Sequence, residues 1–240
     1  EYRIAILGDS FIEGYGAGDD STIAKLIENK LQTSSKNISV INAGISASNP
    51  FYEIKLYKNK IEKYAPDLVL IAINANDIMD LEYYSHNSLP VHEYFSAFSH
   101  IYRVFYAYFV GYNLSIQHRN KHTATKSKNY NFEIIKQIEL FKIDLEKQNK
   151  KLLLIYLPLK EEIYNKKNKY KYVTFLQDAM KLSEIEYIDI KKEFQDIFYL
   201  KLKSVESYYI ENDIHNNTKG YNLIANILAK KIEEKREHTQ

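Results

Sequence analysis

Short, uninterrupted runs of apolar residues recur along the chain and alternate with longer segments in which apolar residues return every three or four positions. Runs of this kind, rich in Ile, Leu and Val, are typical of strands that are buried on both faces of a parallel sheet. The longer segments have the periodicity of amphipathic helices. The predicted strands cover residues 3–7, 38–42, 68–73, 152–157 and 187–190, and the predicted helices cover residues 21–32, 52–63, 132–148, 170–182 and 218–234.

Strands that alternate with helices predict a particular architecture. They favour an α/β fold of three layers, with a central five-stranded parallel sheet, helices on both faces and right-handed crossovers. A chain of 240 residues is long enough to bury one sizeable core, and no internal repeat divides it. The sequence therefore predicts a single domain over residues 1–240.

An insertion at about residues 81–131 interrupts this alternation. It contains an aromatic-rich stretch at 94–110, followed by a polar segment at 117–131 that we expect to be mobile. The aromatic stretch is typical of a helix that packs on the sheet edge. It also fits a lid, a wall for an acyl chain or a membrane-facing surface, and its place after the third strand predicts that it borders the active-site cleft.

Composition excludes several classes of function. The net charge of +2 and the lack of a basic stripe with interleaved aromatic residues argue against nucleic-acid binding. The chain has no cysteine, which excludes thiol catalysis, disulfides and cysteine-bound zinc. No apolar run reaches the ~18 residues of a membrane span. Because the chain opens on Glu1 almost inside a strand, we expect a fragment of an extracytoplasmic or membrane-anchored protein whose signal or anchor lies upstream.

Polar residues suited to catalysis stand at the ends of the first three strands. Gly8-Asp9-Ser10 follows the first, Asn42-Ala43-Gly44 the second and Asn74-Ala75-Asn76-Asp77 the third. Carboxyl ends of parallel strands meet at one edge of a sheet, where sites form in open α/β folds. Each feature alone also suits a plain turn or a helix cap. Together they place a hydroxyl, a glycine amide and an asparagine near one another, and the last two are donors of the kind found in an oxyanion hole.

Near the other end of the chain, Asn212-Asp213-Ile214-His215 supplies an imidazole and a carboxylate. A serine hydroxyl needs such a base, and the base is usually oriented by an acid. The other six histidines show no metal-ligand spacing with carboxylates, so we predict neither a metal site nor a cofactor.

These four blocks resemble those of the SGNH hydrolases, also called the GDSL esterase/lipase superfamily, and the resemblance covers nearly all of the chain. It implies a flavodoxin-like fold in which Ser10 is the nucleophile and His215 the general base. It further implies an oxyanion hole formed by the amides of Ser10 and Gly44 and the side chain of Asn76.

Two positions depart from the pattern of that family. Asn74 stands where relatives have glycine, which would narrow the site or add a polar contact to substrate. Asn212 stands where most relatives have the acid. Asp213 is the available carboxylate and is the favoured orienting residue, with Asp189 or no required acid as the alternatives. Asp9 and Asp77 are expected to be structural.

The resemblance implies a serine carboxylic ester hydrolase that works through an acyl-enzyme, and we expect it to remove acyl groups from a carbohydrate or another small ester. One alternative is an O-acyltransferase that uses the same triad to move acetyl groups to a polysaccharide. The other is a catalytically silent binding domain that has kept the fold.

Overall fold

A five-stranded, all-parallel sheet forms the centre of the molecule, which confirms the predicted α/β class. The computed structural model describes residues 1–34, 37–77, 99, 101–102, 124–164, 178, 180–181, 183, 185–201 and 204–237. The strand order is β2-β1-β3-β4-β5. The strands are β1 (Tyr2–Gly8), β2 (Ile38–Gly44), β3 (Leu68–Ile73), β4 (Lys151–Tyr156) and β5 (Tyr187–Asp189).

Burial of both faces of the central strands explains why their sequences are continuous apolar runs. Every residue of β3 is buried, and in β4 only Lys151 is exposed. Neither strand has a face that meets water, so both carry apolar residues at consecutive positions. β2 lies at an edge of the sheet and is partly exposed along most of its length.

The described residues give the bounds of seven α-helices. They are α1 (Ser10–Glu13), α2 (Ile23–Ser34), α3 (Pro50–Leu56), α4 (Ala124–Glu146), α5 (Lys160–Tyr164), α6 (Ile190–Lys201) and α7 (Thr218–Glu237). In the sheet the chain moves one way from β1 to β2 and then back past β1 to β3. Because both connections are right-handed, this reversal of direction places α2 and α3 on opposite faces of the sheet. Accordingly α2 packs on α7, and α3 packs on α4.

The predicted helix at 52–63 consists of three successive pieces. The side chain of Asn49 caps α3, which is followed by a π-helical turn at Tyr57–Ile61 and a 3₁₀ turn at Glu62–Tyr64.

Helix α4 begins inside the polar segment at 117–131, since residues 124–131 are helical, and the expected mobility of the segment stays a prediction. Helix α6 was not predicted at all. The predicted helix at 170–182 and the aromatic stretch at 94–110 lie almost entirely outside the described residues, and the proposal that the latter borders the cleft stays a prediction. None of the described helices is long and apolar enough to cross a membrane.

Candidate active site

Ser10 is held at the carboxyl end of the first strand by a tight strand-to-helix turn. Asp9 caps α1, because its Oδ1 accepts a hydrogen bond of 3.0 Å from the backbone N–H of Phe11. Gly14 ends this four-residue helix in a left-handed conformation, with φ of 97°. The turn leaves Ser10 only 9% exposed, as the first residue of α1.

A chain of hydrogen bonds links Ser10 to the loop before α7. Ser10 Oγ lies 2.7 Å from His215 Nε2. The other ring nitrogen of His215, Nδ1, lies 2.6 Å from Asp213 Oδ1, which also accepts a hydrogen bond of 2.9 Å from the backbone N–H of His215. The structure thus brings together the hydroxyl, imidazole and carboxylate that the sequence singled out.

The local loop accounts for asparagine at position 212. The backbone N–H of Ile210 donates to the carbonyl of His215 (2.9 Å), and the N–H of Asp213 donates to the carbonyl of Ile210 (3.2 Å). This tight turn requires a left-handed residue, and Asn212 has φ of 57°. Asparagine tolerates that conformation better than most residues. Position 212 therefore serves the turn, and the carboxylate beside the imidazole stands at 213.

Asp189, the alternative acid, is used elsewhere. Its Oδ1 accepts hydrogen bonds from the backbone N–H groups of Lys191 (3.0 Å) and Lys192 (3.4 Å), so it caps α6. Burial raises the pKa of Asp189 above its ordinary value. Partial burial also pushes the pKa of Asp213 upwards, but the hydrogen bonds that it receives from His215 outweigh that effect and leave it lowered.

Two aromatic rings flank the imidazole. The ring of Phe11, fully buried, lies with its centroid 4.8 Å from that of His215. The ring of Tyr15, 51% exposed, lies 4.4 Å from it. The carbonyl of Tyr15 accepts a hydrogen bond of 3.0 Å from Tyr221 Oη on α7, which fixes the loop after α1 against the last helix. Tyr15 therefore separates part of the imidazole from solvent.

The amide of Gly44, which the family resemblance implies as an oxyanion donor, is paired in this structure. Its N–H donates to Asn42 Oδ1 (3.0 Å), and its role in the hole stays a prediction. A Cβ atom at this position would lie 2.1 Å from the Glu13 backbone nitrogen and 2.5 Å from the Ile12 carbonyl carbon. Glycine is therefore required because the backbone of α1 passes directly against β2.

Ala47 is a residue that the sequence analysis missed. It follows β2 in the loop over residues 45–49, and its φ of 60° is unusual for a residue other than glycine. Within the described part of the chain its backbone N–H has no hydrogen-bond acceptor, and the same holds for the N–H of Ser10. No signal in the sequence marks alanine for such a position, since the left-handed backbone is visible only in the fold.

Asn74 also differs from the expectation that it contacts substrate or narrows the site. It is 2% exposed, its Nδ2 donates to Asp9 Oδ2 (3.0 Å), and its Oδ1 accepts from the Asn76 N–H (2.7 Å). Asp77 Oδ2 accepts from the Asn74 N–H (2.8 Å). These contacts join the turn after β1 to the turn after β3, in keeping with the structural roles expected for Asp9 and Asp77. They place the partly buried Asn76 on the same edge of the sheet as Ser10.

No group of three or more His, Asp or Glu side chains that could hold a metal ion occurs among the residues that the structure describes. His215 is the one histidine among them, since the other six lie outside the described ranges. The chemistry offered by the described side chains is that of a hydroxyl, an imidazole and a carboxylate in line.

Comparison with known proteins identifies the family and the fold. The family model for GDSL-like lipases and acylhydrolases matches residues 4–228. None of the curated proteins matches the chain by sequence.

Solved structures with the same fold include a catalytic mutant of Axe2, an acetylxylan esterase from Geobacillus stearothermophilus (14% identity, TM-score 0.61, 96% of this chain and 94% of that one). They also include a putative lipolytic protein of the G-D-S-L family from Desulfitobacterium hafniense DCB-2 (14% identity, TM-score 0.53, 96% and 99%). A third is the acetyl xylan esterase AlAXEase (16% identity, TM-score 0.59, 96% and 99%). The family match spans most of the chain, which therefore belongs to the GDSL-like lipases and acylhydrolases and is a carboxylic ester hydrolase.

Proposed function

We propose that this protein removes short acyl groups, acetyl above all, from an acylated carbohydrate, with Ser10 as nucleophile. The observation that carries the proposal is the continuous hydrogen-bonded chain from Ser10 Oγ through the His215 ring to Asp213, with distances of 2.7 Å and 2.6 Å. Donor and acceptor atoms at such separations allow a proton to move as the serine attacks.

The geometry suggests a role for each member of the triad. His215 Nε2 accepts the proton of Ser10 as Oγ attacks the ester carbonyl, and it returns the proton to the departing sugar hydroxyl. Water then attacks the acyl carbonyl while Nε2 takes its proton, and Nε2 passes that proton to Ser10 Oγ as the ester bond breaks, which releases the free acid and restores the serine. Asp213 holds the tautomer in which Nδ1 carries the hydrogen, and its negative charge stabilises the imidazolium that forms in each step.

The oxyanion of the tetrahedral intermediate requires hydrogen-bond donors. The N–H groups of Ser10 and Ala47 have no acceptor within the described residues, whereas the N–H of Gly44 is bonded to Asn42. We therefore assign two of the donors to the amides of Ser10 and Ala47. The side chain of Asn76, on the same edge of the sheet, is the third donor that the family resemblance implies.

Two observations favour a carbohydrate ester. The acetylxylan esterases named above share the fold, although at identities of 14% and 16% that likeness by itself concerns architecture. In addition, Tyr15 presents a half-exposed ring beside His215, and a flat aromatic face beside a nucleophile suits a sugar ring.

The test measures acetate release from acetylated xylo-oligosaccharides and hydrolysis of p-nitrophenyl acetate by purified variants. Ser10→Ala is expected to lower kcat by about 10⁴- to 10⁶-fold, and Asp213→Asn by about 10⁴-fold, because each removes a member of one catalytic unit. Ser21→Ala, in a 3₁₀ turn outside the triad, is the matched control and should behave as the wild type.

A Ser10→Ala variant that keeps a tenth of wild-type activity would refute the nucleophile. Loss of acetyl groups from the donor that requires a second, unacetylated oligosaccharide, with the acetyl recovered on that acceptor in place of free acetate, would instead identify an acyltransferase. Acetate release without that acceptor supports hydrolysis.

A further inference from the structure

Glu53 is a buried carboxyl group that the mechanism above does not use. It lies on α3 and is 0% exposed. Its Oε1 lies 2.8 Å from Ser48 Oγ, and its Oε2 is buried without a hydrogen-bond partner. A buried, ionised carboxylate loses the hydrogen bonds of water, and here one hydroxyl group and no partner for the second oxygen replace them. The buried position of Glu53, in contact with the loop over residues 45–49, therefore requires an explanation.

The hydrogen bonds around Ser48 indicate which form Glu53 takes. Ser48 Oγ lies within reach of two acceptors, Glu53 Oε1 at 2.8 Å and the carbonyl of Gly8 at 3.1 Å. A hydroxyl has a single proton to donate. Both contacts are hydrogen bonds at once only if Glu53 carries a proton, donates it to Ser48 Oγ, and Ser48 in turn donates to Gly8.

The charged groups nearby favour the same form. Asp9, directly after β1, is the charged group whose field acts on Glu53. Burial raises the pKa of Asp9 as well, but Asp9 receives two opposing hydrogen bonds, from the Phe11 N–H and Asn74 Nδ2, whereas Glu53 has a single hydrogen-bond partner. The loop over residues 45–49 carries no ionisable side chain, and on the α4 side the ion pair of Lys58 and Asp144 is exposed. Of two neighbouring buried carboxyls, the one with fewer donors holds the proton.

The chain of contacts ends at the catalytic turn. Gly8 directly precedes Asp9 and Ser10, and its carbonyl also accepts a hydrogen bond of 3.0 Å from the N–H of Ile45. Ser48 adjoins Ala47, whose unpaired amide we assign to the oxyanion hole. A hydrogen bond from Ser48 to Gly8 therefore fixes the loop that bears one donor against the turn that bears the nucleophile.

We propose that Glu53 is a neutral carboxylic acid that positions the oxyanion loop and the Ser10 turn through the hydrogen-bond chain Glu53–Ser48–Gly8. Its ionisation would turn Ser48 towards Glu53, break the bond to Gly8 and place a second negative charge near Asp9. Burial, together with the charge of Asp9, raises the pKa of Glu53 to about 8. A hydrogen bond from Ser48 to the ionised carboxylate acts in the opposite direction and is outweighed. The consequence for catalysis rests on the proposed function, whereas the protonation of Glu53 does not.

The first experiment is the dependence of kcat/KM on pH for p-nitrophenyl acetate, with spontaneous hydrolysis subtracted. A serine–histidine triad alone rises to a plateau as the imidazole loses its proton. If neutral Glu53 positions the site, kcat/KM of the wild type should fall roughly tenfold between pH 7 and pH 9. The reason is that the neutral fraction of a group with a pKa of about 8 falls by that factor over this range. Glu53→Gln keeps a neutral donor, so its kcat/KM should change less than twofold over the same range.

The variants also separate positioning from packing. At pH 7, E53Q should retain activity within about threefold of wild type, whereas Glu53→Ala and Ser48→Ala should each lose more than tenfold in kcat, with a smaller change in KM. Glu62→Gln, a partly exposed residue after α3, is the control for a loss of charge alone. An E53Q variant that shows the same alkaline decline as the wild type, or that is as impaired as E53A at pH 7, would overturn the proposal.

The second experiment needs no enzymatic activity. In the unfolded chain Glu53 loses its proton near the ordinary value of 4.5, whereas in the folded chain it keeps it up to about pH 8. The stabilisation is therefore complete below pH 4.5 and is lost as the pH rises towards 8. Over that range the folding equilibrium constant of the wild type should fall tenfold per pH unit relative to E53Q. Parallel urea-unfolding profiles of the two proteins between pH 5 and pH 7.5 would show that Glu53 is ionised in the fold and would overturn the proposal even if Ser10 proved not to be the nucleophile.

Discussion

Gly44→Ala tests the close approach of α1 to β2, because alanine keeps the backbone N–H and adds only a methyl group. Any loss of stability or activity in this variant therefore reports the methyl group and not the loss of a donor. In the structure the added Cβ would lie 2.1 Å from the Glu13 nitrogen and 2.5 Å from the Ile12 carbonyl carbon, against 3.4–4 Å in ordinary contact. Both atoms belong to the backbone, so no side-chain rotation can relieve the overlap, and α1 must move by more than 1 Å.

The expected cost follows from that displacement. Overpacking in a closely packed interior typically costs about 1–3 kcal/mol and occasionally more. Since the clash is with backbone, we expect a loss of about 3 kcal/mol in the free energy of unfolding. For a domain of this size that corresponds to a fall in Tm of roughly 6–12 °C. Because α1 begins at Ser10, a shift of ~1 Å should also lower kcat by about 10²-fold.

Urea unfolding, thermal unfolding and ester hydrolysis measure these effects, with Gly18→Ala as the matched control. A Cβ at Gly18 meets no atom within 4 Å, so this variant should stay within ~0.5 kcal/mol of the wild type or be slightly more stable. If Gly44→Ala were as stable and active as Gly18→Ala, the close approach of α1 to β2 would be wrong.

Two further predictions concern the remaining catalytic loops. Asn76→Ala should lower kcat by about 10²- to 10³-fold with little change in KM, because the partner proposed for its amide is the oxyanion, which exists in the transition state and not in the bound substrate. Steady-state kinetics on p-nitrophenyl acetate decide this, and an unchanged kcat would remove Asn76 from the hole. Asn212→Gly should keep Tm and activity near those of the wild type, because glycine accepts the left-handed backbone. Asn212→Val should lower the free energy of unfolding by about 1–2 kcal/mol, measured by urea unfolding. Equal effects of the two substitutions would contradict the turn assigned to residue 212.

The sheet could be predicted because a strand that is buried on both faces has apolar residues at consecutive positions, a pattern that is visible in the sequence. Each of the five apolar runs became a strand, including the weak run that forms β5. Helix α6 was missed although its signals are present. Asp189 caps it, and Ile190, Phe194 and Phe198 recur at the spacing of one helix face.

Ser10, Asp213 and His215 could be singled out because their residue types are specific to one kind of chemistry. The unpaired amides could not, because any residue has an amide and only the backbone conformation decides which one lacks an acceptor. Gly44 was expected as a donor for its residue type but its N–H is bonded to Asn42, whereas Ala47 has a positive φ that the sequence does not mark. The role of Glu53 was equally hidden, since a glutamate on a short helix is ordinarily solvated, and its burial arises from loops distant in sequence.

The separation of Ser10 from His215 along the chain also sets an order of events during biosynthesis. The two residues are 205 positions apart, and the loop after α1 is fastened by Tyr221 on the last helix. A ribosome adding ~5–20 residues per second needs roughly 10–40 s to pass from the nucleophile to its base. For that interval the emerging polypeptide has the serine turn without the imidazole that lies 2.7 Å from it in the fold. With the triad proposed above, ester hydrolysis begins only when the loop before α7 reaches Ser10, so the onset of activity in a translation reaction would report the completion of folding.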